Sequence, residues 1–199
     1  MTTAAKLLAL GAVVTLGACV DSRPDVVFET ELGSFTVEVD PDRAPASAGD
    51  FLRYVDSGLF DGQGFYRTVT PGVDPRGQGM SLVQGGRLDL LPQGGYVPHE
   101  PTGASGLSNT EGSVALARTE VGTGSAAFFF VNMDDNTMLD EGGDRNPDGA
   151  GYAVFGRVTD GMDTLRAIQS RPTARDPAGI FADGQKLERP VLIERAYRD

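Results

Sequence analysis

The sequence predicts a mainly β protein: a closed eight-stranded antiparallel barrel with two helices covering its ends. Three observations carry this. Short apolar stretches alternate with a period of two, as at Phe35, Val37 and Val39. Glycine is abundant, at 27 of 199 residues, and falls between those stretches where tight turns need it. Only two segments carry a helical period, and they are far apart in the chain. Closing such a sheet on itself removes its free edges.

The β pattern starts at Asp25. Val26, Val27 and Phe28, the turn Glu31-Leu32-Gly33, and the run from Phe35 to Val39 read as a hairpin. The stretch 41–45, with a proline at each end, breaks the second strand. A helix is expected over 47–57, with Phe51, Leu52 and Val55 on one face and Gly58 past its end. Strands follow over 65–69 and 80–84, separated by the Gly- and Pro-rich loop TPGVDPRGQG. Further strands are expected over 113–118, 128–132 and 153–158. The second helix, 162–170, should bury Met162, Leu165 and either Ile168 or Ala167. The stretch 191–193 reads as the last strand, placed to pair with the first.

At this length the chain suits one domain with a full core. Net charge is -11, and no cluster of Lys and Arg could neutralise phosphates, so nucleic acid is excluded as a partner. The acidity reads as solubility. Cys19 is the only cysteine, which rules out an intrachain disulfide. It follows one positive charge, Lys6, and the ten-residue apolar run 7–16, the size of a signal-peptide core and too short to span a bilayer.

Three motifs are set aside. His99, the only histidine, sits in a Pro-rich loop and reads as a surface residue, not as the base of a triad. The glycines at 122 and 124 imitate a dinucleotide-binding turn, but Phe128, Phe129 and Phe130 then form a strand where a helix is required. Asp144, Asn146 and Asp148 match half of a calcium loop whose last ligand position is Phe155. No metal and no cofactor is called for.

Two resemblances remain. Leu16-Gly17-Ala18-Cys19 resembles the lipobox of bacterial lipoproteins. That implies a removed signal peptide (1–18), a lipidated tether (19–24) and a domain over 25–199, anchored to a membrane on its periplasmic side through a thioether at Cys19. Val20, rather than Asp21, follows the cysteine, which by the enterobacterial sorting rule favours the outer membrane. An ordinary signal peptide, or a buried helix with a chance cysteine, is the alternative.

The second covers roughly 25–197. Phe65-Tyr66-Arg67, Gln84-Gly85-Gly86, Ala115-Leu116-Ala117-Arg118-Thr119, Phe129-Phe130-Val131-Asn132 and Tyr152-Ala153-Val154-Phe155-Gly156-Arg157-Val158 recur in the order seen in bacterial cyclophilins. The resemblance implies a cyclophilin-like barrel that isomerises X-Pro peptide bonds. Such a reaction, with a barrier of ∼18–20 kcal/mol, requires neither nucleophile nor metal. It requires a cation donating a hydrogen bond to the prolyl nitrogen as the bond twists, and a dry pocket for the ring. By resemblance Arg67 is the donor. Leu82, Phe130, Leu139 and Tyr152 form the pocket, Gln84 holds the guanidinium or the substrate backbone, and Phe65 and Ala117 line the groove. Phe129, on the opposite strand face, is core. The implied partners are proline-containing peptides and unfolded or partly folded envelope proteins, with the enzyme a monomer that assists folding.

The chain departs from the family pattern at Tyr66, Ser81, Phe128 and Met138. Ser81 stands where an aromatic pocket wall is usual and Phe128 where a peptide-binding glutamine is usual. This leaves a second function open: a non-catalytic proline-peptide binder or scaffold lipoprotein on the same barrel.

Overall fold

The structure, a computed structural model, describes residues 23–89 and 91–199. The leader 1–18, Cys19 and the first part of the tether lie outside the described residues. A hairpin of β1 (Asp25–Thr30) and β2 (Gly33–Val39) leads into helix α1 (Pro45–Asp56). Then come β3 (Gly64–Val69), β4 (Leu82–Gly86), the one-turn helix α2 (Thr102–Ser105), β5 (Ser113–Leu116) and β6 (Phe128–Asn132). The chain finishes with β7 (Val154–Asp160), α3 (Met162–Gln169), the two-residue β8 (Thr173–Ala174) and β9 (Lys186–Arg198).

All pairings are antiparallel, in the order β1-β2-β7-β5-β6-β4-β3-β9, and β9 pairs back onto β1. Eight strands thus close the expected barrel, with β8 an appendage on β9. Among the described residues there are three α-helices, not two, because α2 forms a single extra turn.

Several boundaries move by a few residues, among them those of β4, β5 and β7, and two shifts have a clear physical reason. Helix α1 begins at Pro45, not at residue 47, because proline suits the first helical position, where its missing N–H costs nothing. The Glu100 carboxylate caps that end from a distant loop, accepting the Ala46 and Ser47 amides at 2.9 and 2.8 Å. Strand β9 runs far beyond 191–193. Its buried Leu187, Val191, Ile193 and Ala196 are interspersed with exposed Glu188, Arg189, Glu194 and Arg195, which mask the pattern.

The interior is aromatic. Phe28, Phe35, Phe51, Phe60, Phe65, Phe129 and Phe155 are fully buried, with contacting rings between 4.7 and 5.9 Å apart. Phe51, Leu52 and Val55 of α1, and Leu165 and Ile168 of α3, join this core, whereas Ala167 faces solvent. Gly86 shows how tightly the strands approach: at φ 123°, a Cβ there would lie 2.1 Å from the Ala127 carbonyl oxygen. Phe129 touches the rings of Phe28, Phe51, Phe60 and Phe65. Phe129→Ala should therefore cost about 3–5 kcal/mol, read from the urea midpoint; a loss under about 1 kcal/mol would show that the ring does not anchor the core.

Candidate active site

The alternation that fills the barrel also builds a groove on its outer face. In β6, Phe129 and Val131 point inward and Phe130 outward; in β4, Val83 points inward and Leu82 and Gln84 outward. Ala115 of β5 is the register partner of Phe130. Met80, Leu82, Phe130, Leu139, Val69 and Val154 form a second apolar cluster outside the barrel. It floors a groove of about 520 Å³. The Tyr152 ring stands edge-on to Phe130 at 5.5 Å.

A bulge delivers the cation to this groove. Phe65 pairs with Gly85 and Arg67 with Gln84, so Tyr66 is an extra residue in β3. Phe65 consequently points into the barrel, while Tyr66 and Arg67 both reach the groove. Arg67 is then fixed by two amides. Its Nη1 donates to Gln84 Oε1 at 2.8 Å, and its Nε and Nη2 both donate to Gln185 Oε1, at 3.0 and 2.7 Å. A guanidinium has five N–H donors, so one on each terminal nitrogen is left for a ligand. The Phe181 ring covers the guanidinium at 5.2 Å and stacks on Tyr66.

The electrostatics are one-sided. Among the described residues no carboxylate lines the groove or pairs with Arg67, although the chain carries a charge of -11. Burial pushes the Arg67 guanidinium below its ordinary value, partly offset by Tyr152 and Tyr66. The other groove arginines are neutralised. Arg118 makes a two-pronged pair with Asp148 and lies over Tyr152 at 5.3 Å, and Arg145 pairs with Asp74. Burial also pushes the Tyr66 hydroxyl upward, so it stays protonated; it accepts from Gln84 Nε2 at 3.3 Å.

Arg67, Leu82, Gln84, Ala117, Phe130, Leu139 and Tyr152 thus line one groove. Phe65 does not join them, because the bulge leaves it in the barrel core. Ser81 is also misplaced by the sequence reading. It points away from the groove, where its Oγ accepts from Gln169 Nε2 and its backbone is held by Asn136. Met80, one residue earlier, supplies an apolar wall instead. Phe128 does line the groove, half-buried.

The residues set aside have other partners. His99 Nε2 donates to the Ala150 carbonyl at 2.8 Å, and Asp148 is engaged by Arg118. No group among the described residues has the make-up of a metal site.

Among the groove residues that sequence reasoning missed are Gln185, Phe181 and Ile180. They sit on a strap tied by Asp176, whose carboxylate accepts the Ile180 and Phe181 amides and the Lys186 ammonium. Gln185 lies 118 residues from Arg67, with no local pattern to announce it.

Comparison with known proteins follows the same lines. The family described as cyclophilin type peptidyl-prolyl cis-trans isomerase/CLD matches residues 25–197. Peptidyl-prolyl cis-trans isomerase cyp18 of Streptomyces antibioticus is 35% identical over 173 residues, covering 86% of this chain and 96% of that protein. Peptidyl-prolyl cis-trans isomerase B of Escherichia coli is 31% identical over 171 residues, covering 85% and 96%. A cyclophilin-type isomerase of Cryptosporidium parvum, crystallised in the presence of the dipeptide Ala-Pro, shares the fold with a TM-score of 0.65 at 19% identity, covering 88% and 98%.

The loops around the groove carry a pH limit. The Lys186 ammonium, helped by backbone amides against burial, holds Asp176 at about 2. At Asp74 burial acts upward, but Arg145 and the Met80 and Arg76 amides outweigh it and hold the group at about 2. A carboxyl lower in the folded than in the unfolded chain stabilises fully above its unfolded value of about 3.9. That stability is lost as pH falls through about 2. Hydrogen exchange should therefore show the Ile180, Phe181 and Met80 amides protected at pH 5 and losing protection between about pH 4 and 2. Protection unchanged at pH 2 would contradict these ties.

Proposed function

The chain belongs to the cyclophilin-type peptidyl-prolyl cis-trans isomerase family and is such an isomerase; from that premise we propose that it turns X-Pro bonds of extracytoplasmic proteins and assists their folding, with Arg67 as its catalytic residue. The observation that carries the assignment is the guanidinium held by Gln84 and Gln185 above an apolar groove.

The mechanism follows from amide chemistry. Twisting the bond withdraws the nitrogen lone pair from the carbonyl, and the nitrogen becomes pyramidal and able to accept a hydrogen bond. The proline ring seats among Met80, Leu82, Phe130 and Leu139, with Tyr152 at its edge. A spare N–H of Arg67 then meets the lone pair only in the twisted state, so the interaction favours the transition state over either isomer. Both partners of Arg67 are neutral, which orients the cation without quenching it. Gln84 and Gln185 are positioning residues in this scheme, and Ala117 and Phe128 line the extension of the groove.

The anchor is part of the same proposal. Residues 1–18 act as a lipoprotein signal, Cys19 carries the lipid, and 25–199 work as a monomeric domain on the periplasmic side, at the outer membrane. Slow X-Pro isomerisation, tens to hundreds of seconds unaided, is the folding step relieved there. The alternative of a binder without turnover loses the support of Ser81, which faces away from the groove.

Three variants test this. Arg67→Lys keeps the charge and loses the planar fork; exchange NMR on an X-Pro peptide should show turnover slower by about 10²–10³, with affinity nearly retained. Full turnover in a folded Arg67→Lys protein would remove Arg67 from the chemistry. Gln185→Glu would place a carboxylate on the guanidinium. At an effective dielectric of about 20 such a pair is worth about 4 kcal/mol at 4 Å, so even a third of it lost from the transition state slows turnover about tenfold. Unchanged turnover would show that the neutrality of the clamp is irrelevant. Cys19→Ser should release the folded domain from membranes into the soluble fraction, and its continued sedimentation with membranes would refute the lipid anchor.

A further inference from the structure

Six large apolar side chains are exposed among the described residues: Leu88, Leu91, Tyr96, Val121, Ile180 and Leu192. Their placement is not random. Tyr96 and Ile180, 57% and 61% exposed, line the groove itself. Leu88, Leu91 and Val121 lie on the two loops that meet beside Tyr96, where Val97 bridges to Gly124. Only Leu192, on β9, belongs to neither loop nor to the groove lining.

Both lips are tied down. The Asp176 carboxylate accepts the Ile180 amide at 2.9 Å, and Phe181 beside it stacks on Tyr66. The loop bearing Tyr96 is pinned by the Gln93 amide, which donates to Tyr54 Oη at 2.6 Å. Apolar side chains held open to water in the lining of a ligand groove mark a contact surface for what enters it.

We propose that these lips select prolines with apolar neighbours, so that the preferred substrate is an extended segment destined for a protein core and exposed only while its chain is unfolded. The inference rests on the isomerase reading of the groove and specifies its substrate class. A proline ring seated beside Arg67 sends the chain outward in both directions. The residues before and after it then pass over surfaces continuous with the pocket, and apolar side chains there leave water on contact.

The test compares two peptides, Ala-Leu-Pro-Leu-Ala and Ala-Ser-Pro-Ser-Ala, which differ in flank polarity and carry no side-chain charge. With kcat/KM measured by exchange NMR, the leucine peptide should be preferred by about tenfold or more. The double variant Ile180→Ser/Tyr96→Ser should bring that ratio towards one, while Leu192→Ser, away from the groove, should leave it as in the wild type. Both sites are exposed, and circular dichroism verifies the fold. Turnover of both peptides without discrimination, or discrimination that survives the folded double variant, overturns the inference alone. Turnover of neither peptide by the wild type overturns the isomerase reading beneath it.

Discussion

The hydrogen bonds from Arg67 to two neutral amides are the constraint around which this molecule is arranged. A half-buried guanidinium without a carboxylate partner is costly in an isolated fold. Gln84 and Gln185 compensate part of that cost through geometry while leaving the charge intact. The contrast with Arg118 and Arg145 is informative, since each is paired with an aspartate and serves to hold loops. Among the described residues three arginines line the groove, and of these only Arg67 has no carboxylate partner there.

Holding Arg67 this way recruits distant parts of the chain. The bulge at Tyr66 re-aims β3, so that adjacent residues serve the groove while Phe65 serves the core. Gln185 arrives on a strap whose shape depends on Asp176, and its Nε2 also donates to the Val73 carbonyl, joining the strap to the loop before Met80. On the far side, Asn109 donates to the carbonyls of Leu139 and Tyr152, and Arg118 fixes the loop that carries Tyr152. The barrel supplies a rigid outer face, and the loops supply the parts that distinguish one ligand from another.

The barrel is legible in the sequence because strand alternation, turn glycines and two isolated helical periods all agree. Part of the groove is legible too, through the resemblance carried by the runs that hold Leu82, Gln84, Phe130 and Arg67. The same period of two contains the answer for Ser81: once Leu82 and Gln84 face the groove, Ser81 must face away. Phe65 defeats that logic because a bulge, which leaves no mark in the pattern, interrupts the alternation. Gln185, Phe181 and the Glu100 cap on α1 are invisible for another reason. They act across long sequence separations from irregular segments, where neither period nor propensity constrains a residue.

The central claim is that a proline seated in the apolar groove has its nitrogen facing an Arg67 that the two amides keep in place. A crystal structure with a bound proline peptide tests it most directly. The account predicts the ring among Met80, Leu82, Phe130 and Leu139, the bonds from Arg67 to Gln84 and Gln185 intact, and a terminal guanidinium nitrogen turned towards the prolyl nitrogen. A proline bound elsewhere, or an Arg67 swung out of the amides to reach its ligand, would contradict it.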